Sequence, residues 1–174
     1  MDFRILGPLE VWDGERRIAV RGSKQRSLLA VLLLHVNEVV STDRLIDLLW
    51  GEDPPDAGGA ALRVRVSQLR KALGARGGAI VTRSPGYILE LDDAQFDLRR
   101  FEQLVAHAAT EPVETAADRL REALRLWRGD PLAEFAYEDF AQTAIARLDE
   151  LRLAALERRV EADLALGRHA DVIP

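Results

Sequence analysis

Six cations, Arg63, Arg65, Arg70, Lys71, Arg76 and Arg83, fall between Ala57 and Leu89, a stretch of 33 residues without a single Asp or Glu. Guanidinium and ammonium groups gathered without carboxylates bind polyanions, arginine through bidentate bonds to phosphate. A solvated helix face usually mixes signs, because opposite charges at i,i+4 stabilise it. The basic stretch sits in an acidic chain of 174 residues with net charge −5. Residues 1–91 carry 13 basic and 11 acidic side chains, and residues 92–174 carry 11 and 18. The charge pattern therefore predicts a local polyanion-binding face in the first half and an acidic second half.

Other chemistry is poorly supported. There is no cysteine, which excludes disulfides, thiol catalysis and Cys-ligated metal. Gly74-Ala75-Arg76-Gly77-Gly78 lacks the spacing of a phosphate-binding loop. His35, His107 and His169 are far apart and have no metal-ligand spacing. Asp92-Asp93 and Glu138-Asp139 are chain neighbours, which do not face one substrate and read as capping or solvated groups. No catalytic constellation emerges, so a non-enzyme without cofactor or metal is expected. The longest apolar run, Leu28–Leu34, has seven residues, whereas a membrane span needs roughly 20. No secretory signal is seen, so cytoplasmic residence is the expectation.

These cations need elements to hold them. Phe3, Ile5, Leu9 and Val11 alternate at period two, and Asp13-Gly14 marks a hairpin before Arg17–Val20. Ser23 is a candidate cap for an all-round apolar helix through Leu34, expected at the centre of the core. Ser41 can cap a second helix that carries Leu45, Ile46, Leu48, Leu49 and Trp50 and ends at Gly51. Asp53-Pro54-Pro55-Asp56 reads as a stiff exposed loop. A third helix is predicted from about Gly59 to Leu73. At about 100° per residue, Leu62, Val66, Leu69 and Leu73 share a core arc. Ala61, Val64, Gln68 and Lys71 share the opposite arc, flanked by Arg63, Ser67 and Arg70 on one side and Arg65 on the other. Ile80–Arg83, Ser84-Pro85-Gly86 and Tyr87–Leu91 predict a second hairpin with Arg83 at its turn.

Beyond Asp92-Asp93 the periodicity is helical. Asp97 is a candidate cap for a helix to about Ala109, and Pro112 precedes a helix with Ala116, Leu120, Ala123, Leu124 and Trp127 on one face. A third runs from about Tyr137 to Leu166 with Phe140, Ala144, Leu148, Leu151 and Ala155 on one face. Short links suggest an antiparallel, tetratricopeptide-like array. The boundaries expected are 1–93 and 94–174. The end at Val172-Ile173-Pro174, where a further helix would follow, suggests a piece of a longer protein.

Strands, three helices and an arginine-bearing hairpin resemble an OmpR-type winged helix-turn-helix. The supporting segments are Leu45–Gly51, Leu62–Gly74 and Thr82–Tyr87. Phe3–Leu9, Lys24–Leu29 and Ala123–Gly129 extend the likeness. Together they resemble the Streptomyces antibiotic regulatory protein family, with an all-helical bacterial transcriptional activation domain behind the winged helix. The resemblance implies an activator that binds direct repeats near promoter −35 elements, side by side as a dimer on double-stranded DNA. It implies recruitment of RNA polymerase holoenzyme, through sigma factor and the alpha C-terminal domain, at biosynthetic gene clusters. By that resemblance Val64 and Gln68 face base edges. Arg63, Arg65, Ser67, Arg70, Lys71 and Trp50 meet phosphates, and Arg83 enters the minor groove. Asp53, Pro54, Pro55 and Asp56 are the implied polymerase-contact loop. A glutamine at the central position favours adenine through a bidentate amide pair, whereas arginine would favour guanine. The competing expectation is a protein adaptor or autoinhibited output module that docks through the same surfaces.

Overall fold

The computed structural model describes residues 1–168; His169 and the Val172–Pro174 end lie outside the described residues. Three strands open the chain: β1 (Asp2–Arg4), β2 (Glu10–Asp13) and β3 (Arg16–Arg17), in an antiparallel sheet ordered β1-β2-β3. Phe3 pairs with Val11 and Trp12 with Arg17, so Phe3 and Val11 both point into the core. Helix α1 (Ser23–Leu34) follows, with Ser27 and Leu28–Leu33 buried. A helix covered on every side has no polar stripe to spare, and each buried leucine contributes about 1.5–3 kcal/mol. Ser23 is the first helical residue and not the cap. Gly22 holds the cap position at φ 88° without a side-chain bond, a backbone geometry a serine would adopt only under strain.

Strand β4 (Val40–Ser41) leads into α2 (Thr42–Trp50), and the Ser41 hydroxyl accepts the Arg44 N–H as the sequence predicts. Helix α3 (Gly58–Ala72) buries Leu62, Val66 and Leu69. A 3₁₀ segment at Gly74–Ala79 reaches the hairpin of β5 (Ile80–Arg83) and β6 (Gly86–Leu89). The second sheet is ordered β4-β6-β5. Gly86 pairs with Ser41 so closely that a Cβ at Gly86 would lie 1.9 Å from the Val40 carbonyl oxygen.

Helices α4 (Asp97–Ala108), α5 (Val113–Arg125) and α6 (Asp139–Ala165) stack in chain order, α4 on α5 and α5 on α6. Trp127 follows α5 and is buried edge-on against Phe101 at 5.4 Å.

Asp97 departs from its expected role as a cap. It is 3% exposed, and its carboxylate accepts the N–H groups of Ile5, at 2.9 and 3.0 Å, and Leu6, at 3.0 Å. Phe96 occupies the cap position of α4 instead and bridges to Phe3. The same β1–β2 connection is held from the link between α5 and α6. Arg128 N–H donates to the Leu6 carbonyl at 2.7 Å, and Leu132 N–H donates to the carbonyls of Ile5 and Gly7. Leu132 sits at φ 49°, an uncommon conformation for a branched residue, held by those bonds and by complete burial. The hydrophobic core runs without a break from Phe3 and Leu28 to Phe101 and Leu148. The N-terminal sheet, with α1 and α2 where they meet α6, forms the seam between the segments before and after residue 93.

Candidate nucleic-acid interface

The outward arc of α3 is exposed, as its periodicity dictates. Arg63, Val64, Ser67, Gln68 and Lys71 are all exposed, and Val64 is 53% accessible. Val64 stands in the middle of the strip, flanked by cations. Neither Arg63 nor Lys71 is ion-paired among the described residues. Their charges are therefore free to meet an external anion.

Arg65 and Arg70 are half-buried and otherwise engaged. An Arg65 guanidinium nitrogen lies 3.3 Å from the Gln68 carbonyl oxygen. Arg70 turns away from the exposed arc. Its Nε donates to the Ile80 carbonyl at 2.9 Å, a second nitrogen donates to the Thr82 hydroxyl at 2.9 Å, and the group stacks over Tyr87 at 5.9 Å. Arg70, expected at a phosphate, here braces the hairpin against α3. Periodicity could not separate the two roles, because Arg70 sits on the flank of the arc, where either is reachable.

The hairpin turn is also pinned to α2. Thr42 donates both its N–H, at 3.2 Å, and its hydroxyl, at 3.1 Å, to the Pro85 carbonyl. Arg83 is exposed beside the turn and paired with Glu90 at 3.1 Å. Glu90 lies one residue past the acid-free window, so a count along the chain ignores a carboxylate that the long Arg83 side chain reaches along the hairpin.

Trp50 ends α2 half-buried. Its N–H lies within the helical ladder, leaving only the indole to bind outward. It lines a cleft of about 350 Å³ with Lys24, Leu48, Phe140, Glu138 and Asp139. The Asp47 carboxylate lines the same cleft. The Lys24 ammonium donates to the Leu49 carbonyl and so caps α2 with positive charge. Asp53, Pro54 and Asp56 are exposed and Pro55 is half-buried in the short α2–α3 loop.

Gln25 was not singled out by its position in the sequence. It donates its amide N–H to the Gln68 carbonyl oxygen at 2.8 Å, which joins the first turn of α1 to the exposed arc of α3. The available signal was the polar triplet Lys24-Gln25-Arg26 at the head of an otherwise apolar helix.

Residues 16–89 match the model for the C-terminal domain of transcriptional regulatory proteins, and residues 96–174 match the bacterial transcriptional activator domain. The chain is 39% identical to regulatory protein AfsR of Streptomyces coelicolor, over 98% of this chain and 17% of that protein. It is 34% identical to regulatory protein DnrI of Streptomyces peucetius, over all of this chain and 69% of DnrI. A solved structure of Mycobacterium tuberculosis EmbR, in complex with a low-affinity phosphopeptide, superposes with a TM-score of 0.91 at 35% identity. The match covers 98% of this chain and 47% of that one. The chain thus spans less than a fifth of AfsR and about half of EmbR. A winged helix joined to a helical activator segment, matched along most of DnrI, makes the chain a member of the Streptomyces antibiotic regulatory protein family of transcriptional activators.

Proposed function

We propose that the chain is a sequence-specific DNA-binding activator that lays α3 in the major groove and the β5–β6 turn in the adjacent minor groove. The observation that carries this reading is the exposed, acid-free arc of α3, with Val64 and Gln68 at its centre and unpaired Arg63 and Lys71 beside them. Arg63, Lys71, Arg65 and Ser67 set register on phosphates, while Val64 packs on a thymine methyl and Gln68 reads a base edge. Arg83 leaves Glu90 to enter the minor groove, where a narrow A·T-rich groove attracts it. A module of this size buries too little surface for tight binding alone. Two copies side by side on direct repeats near a −35 element supply the rest. Asp53, Pro54, Pro55 and Asp56, with the acidic helical segment, contact RNA polymerase holoenzyme at sigma factor or the alpha C-terminal domain. The regulated genes are those of a biosynthetic cluster, and the site of action is the nucleoid in the cytoplasm.

Segments 1–93 and 94–174 act in this reading as one body, since the Asp97 and Arg128 bonds cross between them. Selection of residues 1–174 on random duplexes at two salt concentrations tests the function. Enrichment of a tandem direct repeat, with affinity falling steeply in salt, supports it. Absence of enrichment at both salts favours the protein-adaptor reading instead.

A further inference from the structure

Gln68 sits at the centre of the exposed arc with its carbonyl oxygen already occupied. Gln25 Nε2 lies 2.8 Å from that oxygen and an Arg65 guanidinium nitrogen lies 3.3 Å from it. A guanidinium only donates, so the Gln68 atom facing Arg65 is the oxygen, and the Gln25 group facing the same atom is the NH₂. An amide oxygen offers two lone pairs, and these two donors use both. Gln25 is itself restricted. A Cβ at Gly22 would come within 2.6 Å of the Gln25 oxygen, so the side chain lies against the glycine that caps α1.

The consequence is chemical. Reading adenine with a glutamine requires the amide oxygen to accept from the adenine N6–H while the NH₂ donates to N7. A Gln68 whose oxygen is engaged on the protein side offers the outside only its two N–H donors. Guanine presents two acceptors, N7 and O6, in the major groove; thymine presents O4; adenine pairs its acceptor with a donor. We propose that Gln25 is a positioning residue that fixes the Gln68 amide as a donor, so that this chain reads an acceptor-only edge, guanine first, in place of the adenine that glutamine otherwise favours. The inference rests on α3 reading DNA.

The test is duplex selection with the full 174-residue chain, its Gln25→Met and Gln25→Glu variants, and Gln68→Ala. The position whose preference disappears in Gln68→Ala is the one Gln68 reads. There the parent chain should favour guanine over adenine by roughly tenfold, the scale of one good base contact. Gln25→Met keeps the side-chain volume but donates nothing, and should lower that ratio by about fivefold or more. Gln25→Glu replaces the donor with an acceptor that repels the Gln68 oxygen and draws the Arg65 guanidinium to itself, which frees the amide to turn over and should shift the preference toward adenine or cytosine, which carry donors. Its added negative charge weakens all sequences alike, so the base profile and not the affinity is the readout. An adenine preference in the parent chain, or parent-like profiles in both Gln25 variants, overturns this inference alone. Failure of the parent chain to enrich any sequence overturns the DNA reading and this inference with it.

Discussion

Arg70 reaches from the flank of α3 to β5, giving its Nε to the Ile80 carbonyl at 2.9 Å. A second nitrogen reaches the Thr82 hydroxyl, so the arginine fork spans two successive same-face positions of the strand. Such a fork is a brace that lysine, with one ammonium, does not reproduce. Arg70→Ala and Arg70→Lys should therefore both loosen the hairpin and weaken DNA binding without changing the number of phosphates neutralised. Lys71→Ala should instead lower the log–log salt slope by about 1, with a similar loss of affinity across sequences. Anisotropy titrations over a salt series check this. An equal drop in slope for Arg70→Ala and Lys71→Ala would return Arg70 to the phosphates.

The Asp97 carboxylate and Glu10 have opposite pH signatures. Burial, the largest influence, raises the Asp97 pKa, and the N–H groups of Ile5 and Leu6 and the charge of Arg128 only partly offset it. A carboxyl whose pKa is raised on folding stabilises the native state most when protonated. That contribution is complete below 3.8, the unfolded value, and is lost as pH rises through the folded one. Burial also pushes Glu10 up, but the Trp12 indole bond and Arg128, Arg17 and Arg4 outweigh it, and the pKa falls below 4.5. Its contribution is present above 4.5 and lost as pH falls through the folded value. Denaturant melts across the acid range should show the advantage of the parent chain over Asp97→Asn shrinking as pH rises, and its advantage over Glu10→Gln growing. Asp97→Ala strands two buried N–H groups and should lose about 2–4 kcal/mol at neutral pH. A pH-independent difference for both charge-neutral variants would refute the assignment.

The fold was legible where a residue's neighbours along the chain decide its place. The all-buried α1, the Ser41 cap, the Leu62/Val66/Leu69 face and the turn between β5 and β6 follow from periodicity and local turn chemistry. What stayed hidden is contact across long sequence separations. Asp97 carries every local sign of an N-cap, yet Ile5 and Leu6, 92 and 91 positions away, claim its oxygens, because their buried N–H groups need an acceptor. The Gln25–Gln68 bond spans 43 positions, and no pattern within either helix announces it.

Gly86 gives a steric test of the hairpin mount. A methyl there meets backbone, 1.9 Å from the Val40 oxygen and 2.7 Å from Ser41 Cα, and backbone cannot swing aside as a side chain can. Gly86→Ala should separate β6 from β4 and destabilise the protein by about 3 kcal/mol, a typical upper value for overpacking. Gly78→Ala, with nothing within 4 Å, is the matched control. Equal melting temperatures for the two variants would mean that the sheet tolerates what the geometry forbids.

Arg83 and Glu90 are both substantially exposed, so their ion pair adds little stability, but it sets where the cation waits. Arg83→Ala should weaken DNA binding by about 1–3 kcal/mol and blunt an A·T preference beside the half-site. Glu90→Gln should tighten binding, and should do nothing in the Arg83→Ala background. A gain from Glu90→Gln that survives loss of Arg83 would reduce the effect to general charge repulsion.

Removing the helical segment separates two views of the architecture. If residues 1–95 were self-sufficient, truncation there would leave the winged helix intact and DNA binding unchanged. The structure argues otherwise, because the cut removes Phe96, Asp97, Arg128 and Leu132, which hold Phe3, Ile5, Leu6 and Gly7 in place. Ile5 and Leu6 are fully buried in the complete chain and would lose one wall of their site. Fragment 1–95 should bind a hydrophobic dye, exchange the β1 and β2 amides rapidly, and melt well below the full chain. The α1–α3 and hairpin core, built from Leu28–Leu33, Leu62, Val66, Leu69 and Leu89, loses only the contacts of α1 and α2 with α6 and should keep slower exchange. Uniform protection of the fragment, equal to that of the full chain, would show that the N-terminal sheet belongs to the winged helix alone and that the bonds to Asp97 are incidental to its stability.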